Sequence, residues 1–397
     1  MYKCREKVPV IFCANTKNII GQKGSENLMS PKRNKNNFPA VVSLFSGCGG
    51  LDLGFHLEGY RTLWANDFSE WAAKTFSRNF RCAVKQCDIA EVNPYADKDI
   101  PDCDIILGGF PCQDFSVIWK QPGLNGKRGG LFRHFVEFVD AKKPKAFVAE
   151  NVKGILTANG GHAAETIIKE FENVAPGYIV KPHLYNFAEY GVPQFRERVL
   201  FVGIRIDTGF NFVHPKPTHG PAAGKPYVTA GEALKGVEIV PYNNERIGIK
   251  DKTRRMLELI PEGGNFTDIP PNHPLYVKGM ISHVYRRIKL DEPAKTIIAA
   301  GGGGTWGYHY PEPRPLTNRE RARLQSFPDY FVFEGNITEV RRQIGNAVPP
   351  EGVRSLARRL MPLFTGEYEH SDLMPEYRKM QSMTVKEKLD YILSQIE

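Results

Sequence analysis

The chain has 397 residues, 41% hydrophobic and 24% charged. That balance excludes fibrous and low-complexity classes and suits one large domain plus a smaller one. No apolar run approaches the roughly 18–20 residues that cross a bilayer, so no membrane association is expected. All seven cysteines lie at or before Cys112. An odd set with no paired ligand spacing predicts neither a disulfide framework nor a metal site, and free thiols suit the reducing cytoplasm. No secretory leader is expected either.

The formal net charge is +9, from 53 Lys and Arg against 44 Asp and Glu. A basic balance favours nucleic acid as partner. Residues 1–39 form a basic extension in which Lys3, Arg5, Lys7, Lys17, Lys23, Lys32, Arg33 and Lys35 face only Glu6 and Glu26. From Ala40 onward strands and helices alternate. Val41–Phe45 reads as a buried strand, Ser46–Gly50 as a tight loop and Leu51–Glu58 as a helix. Thr62–Ala65 is a second strand ending at Asn66-Asp67, and Ser69–Phe80 a helix with Trp71, Thr75, Phe76 and Asn79 near one stripe. A third strand leads to Asp88-Ile89, and a fourth is Asp104–Leu107. Leu131–Ala141 is helical, Ala146–Ala149 a strand ending in Glu150-Asn151-Val152, and Ala163–Val174 a helix. Tyr178–Asn186 and Arg198–Ile204 form a strand pair around a turn. Repeated strand–helix units predict an α/β fold: a Rossmann-like, doubly wound, mostly parallel sheet over residues 40–205.

Residues 206–305 are rich in Pro and Gly, which predicts a second, smaller domain of irregular or β structure. Residues 306–365 turn helical again, at Thr317–Gln325 and Pro350–Met361, and rejoin the first domain. The tail, 366–397, carries one amphipathic helix, about Thr384–Ile396, with Val385, Leu389, Ile392 and Ile396 on one face.

Candidate chemistry gathers at the strand ends. Cys112 follows the fourth strand, in Gly109-Phe110-Pro111-Cys112, where an open α/β sheet places its ligands. It is the candidate nucleophile, with a small buried thiol as the alternative. The Ser46–Gly50 loop frees backbone N–H groups at a helix start, and Asp67 some 20 residues on can hold a ribose diol. Phe45 and Phe68 flank the same crevice, and Asp88 can accept from an adenine amino group. Glu150, near a thiol in a closed pocket, is a candidate proton donor, with a helix-capping acid as the alternative. Arg196 and Arg198 share one face of a strand by period two and suit a polar or anionic substrate group.

Six segments then occur in the order and wording of the DNA (cytosine-5) methyltransferases: Val42–Gly54, Gly108–Ser116, Glu150–Val152, Tyr190–Arg198, Arg314–Pro328 and Gln343–Pro349. The chain resembles the bacterial and phage restriction–modification members. The resemblance implies transfer of a methyl group from S-adenosylmethionine to C5 of a flipped-out cytosine in a specific duplex sequence, with Cys112 bonding to C6. It implies that Glu150 meets N3 and that Arg198 reaches O2 with support from Arg196. The cofactor pocket would comprise Phe45, Ser46, Gly47, Cys48, Gly49, Gly50, Asp67, Phe68, Asp88, Ile89, Pro111, Leu131, Asn346 and Ala347, with no metal. Residues 206–305 would be the target recognition domain. DNA contacts would include Lys127 and Arg128 on a closing loop, and Tyr285, Arg286, Arg287 and Thr296. The implied partners are double-stranded DNA, bound by a monomer, and a cognate restriction endonuclease, all in the cytoplasm. A tRNA cytosine-5 methyltransferase or a catalytically silent DNA-binding relative are the alternatives. One departure from the family pattern is Ser43, where many members carry Asp.

Overall fold

A computed structural model describes residues 38–111, 130–279, 284–299, 303–305 and 307–396. Residues 1–37 of the extension, Cys112, Lys127 and Arg128 lie outside the described residues. Residues 39–397 form one compact unit.

Its centre is a seven-stranded sheet: β1 (Ala40–Leu44), β2 (Arg61–Asp67), β3 (Ala83–Gln86), β4 (Ile105–Gly109), β5 (Ala146–Val152), β6 (Tyr178–Asn186) and β7 (Glu197–Arg205). The spatial order is β3-β2-β1-β4-β5-β7-β6. β1 to β5 run parallel, whereas β7 lies antiparallel between β5 and β6. The central strands are continuous apolar runs because both sheet faces are covered. Alternate side chains serve opposite cores. Val42, Leu44, Ile106, Phe147 and Ala149 pack into one, and Val41, Ile105, Leu107, Ala146 and Val148 into the other.

The chain order reverses direction between β1 and β4, so their carboxyl ends border the crevice where such sheets bind ligands. The glycine loop leaves β1 there, and Phe110-Pro111 leave β4. The antiparallel pairing of β7 with β5 has a separate consequence: it sets Arg198 opposite Val152 and Leu200 opposite Glu150.

Between residues 206 and 305 the described chain holds no strand, only isolated bridges, short 3-10 turns and the helices Ala230–Leu234 and Asp251–Leu259. Of the two expected characters, irregular or β, the described residues show the irregular one. The lobe has a small core of its own, formed by Met256, Leu257, Ile260, Phe266, Ile269 and Tyr308. A second cluster, including Ala230, Ile288 and Ile297, joins it to Leu316 and Leu324 of the returning chain. The helix Ile337–Asn346 was not expected. Its sequence is mostly polar, and its start is fixed by Asn336 Oδ1, which accepts from the Thr338 and Glu339 amides at 3.0 Å each.

The tail contains two helices rather than one, Met374–Gln381 and Val385–Ile396. Only Met380 of the first is buried, so its pattern is weak. Both pack on the sheet, and two lysines become buried with them. Lys388 Nζ meets Glu172 Oε1 at 2.5 Å, and Lys181 Nζ meets Glu376 Oε1 at 2.8 Å. Among the described residues no helix is long and apolar enough to cross a membrane.

Candidate functional site

The glycine loop turns sharply after β1, with Phe45 at φ 51° and Gly47 at φ 53°. It is pinned from β2. The Ser46 amide donates to Asn66 O at 2.9 Å, and the Gly47 amide to Asp67 Oδ2 at 2.8 Å. Asp67 Oδ1 accepts from the Ser69 amide at 2.8 Å. The carboxylate expected to face a ribose thus first holds the loop and the next helix in place. Each oxygen keeps a lone pair for a ligand hydroxyl.

The glycines differ in purpose. A Cβ on Gly47 would meet nothing within 4 Å, so that position faces open space. A Cβ on Gly49 would lie 2.4 Å from the Phe80 ring, and one on Gly50 2.3 Å from Val348 O. Those two are glycine because helix and loop pack closely, not because a ligand approaches. The Cys48 side chain is likewise turned into the core, and burial pushes its thiol up to about 12. Ile89 is buried in the core beside β4. Neither side chain lines the open crevice.

Other expected pocket residues do face it. Phe68 is 75% exposed at the end of β2, where a large ring has no structural reason to be. Asp88 is exposed at the end of β3, capping the Ala90 amide at 3.0 Å. Asn346 is exposed, Leu131 half-buried and Ala347 buried. Ser46 Oγ is buried with no hydrogen-bond partner among the described residues. Ser43 does not leave a gap in the family pattern. Its hydroxyl donates to Asp52 Oδ2 at 2.8 Å, and Thr62 donates to Asp52 Oδ1 at 2.9 Å. Burial pushes the Asp52 carboxyl up to about 6.

Across the crevice, Glu150 lies near the carboxyl end of β5 and pairs with Arg198 on β7, Oε1 to Nε, at 2.9 Å. Gly109 makes room for it: a Cβ there would come 2.9 Å from Glu150 Oε2. Burial raises the Glu150 carboxyl above its ordinary range, with the guanidinium charges of Arg198 and Arg196 opposing. The next residue, Asn151, donates from Nδ2 to Phe110 O at 3.0 Å and so fixes the chain two positions before Cys112. Pro111 is exposed at the same edge.

Arg196 corrects the sequence reading. It lies just before β7, is 1% exposed, and donates to Ile297 O at 3.2 Å and Gly345 O at 2.9 Å. Its hydrogen bonds join the lobe to the helix that ends at Asn346. Its charge reaches Glu150; its hydrogen bonds go elsewhere. Gln194 acts alongside, accepting from the Ile297 amide at 2.8 Å and donating to Leu324 O at 3.1 Å. At the crossing, a Cβ on Gly345 would lie 2.3 Å from the Ala299 nitrogen, so no side chain fits.

Arg287 is a second correction. It is buried, donating to four backbone carbonyls, those of Leu257, Ile260, His309 and Pro311, and its cation lies 4.6 Å from the Tyr310 ring centroid. A guanidinium so committed holds the lobe together and is closed to DNA. Tyr285 stacks on Tyr308 at 5.6 Å, and the Thr296 hydroxyl donates to Phe195 O at 2.8 Å. Arg286 and Thr296 line a cleft of about 480 Å³ between the lobe and the start of β7. Sequence reasoning missed Gly109, Asn151 and Gln194. Their signal was their place in the segments Gly108–Ser116, Glu150–Val152 and Tyr190–Arg198 that carry the resemblance. Among the described residues no three His, Cys, Asp or Glu side chains cluster as a metal site.

Comparison with known proteins agrees with this geometry. The profile of the family described as "C-5 cytosine-specific DNA methylase" matches residues 40–361. The chain is 62% identical to the Type II methyltransferase M.NgoFVII of Neisseria gonorrhoeae, over 92% of this chain and 97% of that one. It is 38% identical to the Type II methyltransferase M.BbvI of Brevibacillus brevis, over 88% and 98%. Among solved structures, a candidate DNA modification methyltransferase from an E. coli prophage superposes with a TM-score of 0.64 at 23% identity, covering 82% of this chain and 99% of that one. That likeness speaks to the fold.

Proposed function

Because the chain belongs to the C-5 cytosine-specific DNA methylase family, we propose that the edge formed by β4, β5 and β7 methylates cytosine in duplex DNA through Cys112, Glu150 and Arg198. The observation that carries this reading is the Glu150–Arg198 pair at 2.9 Å, beside a backbone that Asn151 holds just ahead of Cys112. Cytosine C5 is a weak nucleophile. The Cys112 thiolate adds at C6 and makes C5 electron-rich. Glu150, whose carboxyl burial raises against the opposing Arg198 and Arg196 charges, serves as the proton donor to N3 as negative charge develops there, and the Arg198 guanidinium balances charge at O2. Once C5 has accepted the methyl group, loss of the C5 proton expels the Cys112 sulfur, and N3 returns its proton to Glu150. Such a base must leave the duplex to reach this edge.

The other side of the crevice fits S-adenosylmethionine. The unpartnered Ser46 Oγ, the open face of Gly47 and the exposed Phe68 ring supply a hydrogen bond, room and a stacking surface. Asp67 and Asp88 would take the ribose and adenine groups, with Asn346 closing the pocket. When bound, the cofactor supplies an electrophilic methyl group. Residues 206–305 act as the target recognition lobe, the enzyme works on DNA as a monomer in the cytoplasm, and a cognate endonuclease is its functional counterpart.

Tritiated methyl transfer from S-adenosylmethionine to duplex DNA tests the proposal. The wild type should label DNA and form a covalent complex with 5-fluorocytosine DNA, and Cys112→Ser should do neither. Retained methylation by Cys112→Ser would sink it.

A further inference from the structure

The cleft beside the start of β7 holds a cation that this mechanism leaves unused. Phe195 is bracketed by backbone: its amide donates to Ala294 O at 2.8 Å, and its carbonyl accepts from the Thr296 hydroxyl at 2.8 Å. Lys295, between those two residues, is thereby brought over the ring, with Nζ 5.1 Å from the Phe195 centroid. Tyr227 meets the same ring edge-on at 5.6 Å. Two hydrogen bonds, one backbone and one from the Thr296 hydroxyl, secure this crossing independently of the ammonium. Phe195, Lys295 and Glu197 line the cleft, and Glu197 directly precedes Arg198.

The charges in the cleft do not balance. Glu197 is taken by Lys153, whose Nζ lies 3.0 Å from both of its carboxylate oxygens. Glu292 is shared between Lys295 at 3.7 Å and Lys289 at 3.9 Å, both too long for direct hydrogen bonds. Arg286 adds a further cation to the lining. Lys295 is half-exposed and oriented by an aromatic face, which fixes direction without consuming its donors. An ammonium of this kind suits a phosphate oxygen as a point charge and carries no base-reading fork.

We propose that Lys295, held over Phe195, binds a backbone phosphate of the substrate DNA. This rests on the methyltransferase reading above and adds a substrate contact to it. The test is the dissociation constant for a target duplex between 50 and 200 mM salt, with wild type, Lys295→Gln, Lys295→Arg and Glu292→Gln. One lost phosphate contact should flatten the slope of log K against log salt by about 0.9 in Lys295→Gln. Target and unrelated duplexes should weaken alike, and S-adenosylmethionine affinity should hold. Lys295→Arg should restore the slope. Glu292→Gln should tighten DNA binding in the wild type and do so less in the Lys295→Gln background, a coupling that removal of a carboxylate alone would not produce. A Lys295→Gln slope equal to that of an active wild type would overturn this inference alone. A wild type that neither binds nor methylates duplex DNA would overturn the reading beneath it.

Discussion

Two of the carboxylate–cation pairs among the described residues have similar chemistry and different purpose. Glu150 and Arg198 meet at 2.9 Å with side chains 13% and 15% exposed, at the open edge of the sheet. Glu172 and Lys388 meet at 2.5 Å with both side chains 3% exposed, beneath the tail. Burial raises both carboxyls and opposing cations lower them. Access makes the difference. The first pair borders a crevice, with Gly109 keeping space clear beside the acid. The second is sealed, with both side chains 3% exposed, so no substrate reaches it. A perturbed acid marks a working site only where a substrate can arrive.

The comparison can be broken by variants, beginning with the largest expected effect. Glu150→Gln keeps the shape and loses the proton. Its kcat should fall roughly 10²–10⁴-fold, the usual worth of a positioned general acid, with near-native folding by circular dichroism. Full activity would demote Glu150 to the same class as Glu172. Lys388→Ala should do the reverse. It strands Glu172 in the core at a cost of about 3–5 kcal/mol, read from the urea midpoint, with kcat preserved where the protein remains folded. The double change Glu172→Gln with Lys388→Met should recover much of that loss, because neither charge is left alone.

Acid separates the two regions further. His183 and His214 lie in the buried cluster near the tail, 4.9 Å apart by ring centroids. Burial pushes His183 down to about 4 and His214 well below its ordinary value. The unfolded chain takes up protons below about pH 6.5 that the folded chain refuses. Stability from His183 is therefore complete above pH 6.5 and is lost as pH falls toward 4, by roughly 3 kcal/mol. His183→Asn should flatten that acid limb in a thermal-unfolding series. At the open edge the acid's effect is on rate: kcat should decline as pH rises past the raised value of Glu150. The smallest expected effect is Asn151→Ala. It frees the Phe110 carbonyl without touching a reacting group, and a small misplacement of the chain before Cys112 should lower kcat by up to about 10²-fold with DNA affinity kept.

Much of the sheet is legible in the sequence because β1, β4 and β5 are buried on both faces and so spell continuous apolar runs. The strand ends then locate Asp67, Asp88 and Glu150 without further information. Arg196 and Arg287 were misread for one reason. An arginine's charge is visible in a sequence, but carbonyls that converge on it from distant segments are not. The helix Ile337–Asn346 escaped because its polar residues are explained by an Asn336 cap and by contacts 268 and 295 residues away, from Gln343 to Thr75 and Cys48. The lobe was least legible. Its order comes from Arg287 and a few aromatic contacts rather than from any repeating pattern.

The crossing at Gly345, where the Ala299 backbone leaves no room for even a methyl group, sets a rule for anyone exchanging lobes between such enzymes. Splice points must fall outside both strips that touch there, 193–198 and 294–299, so that the seam travels with the scaffold. A graft joined inside them would import a foreign backbone into a space with no slack.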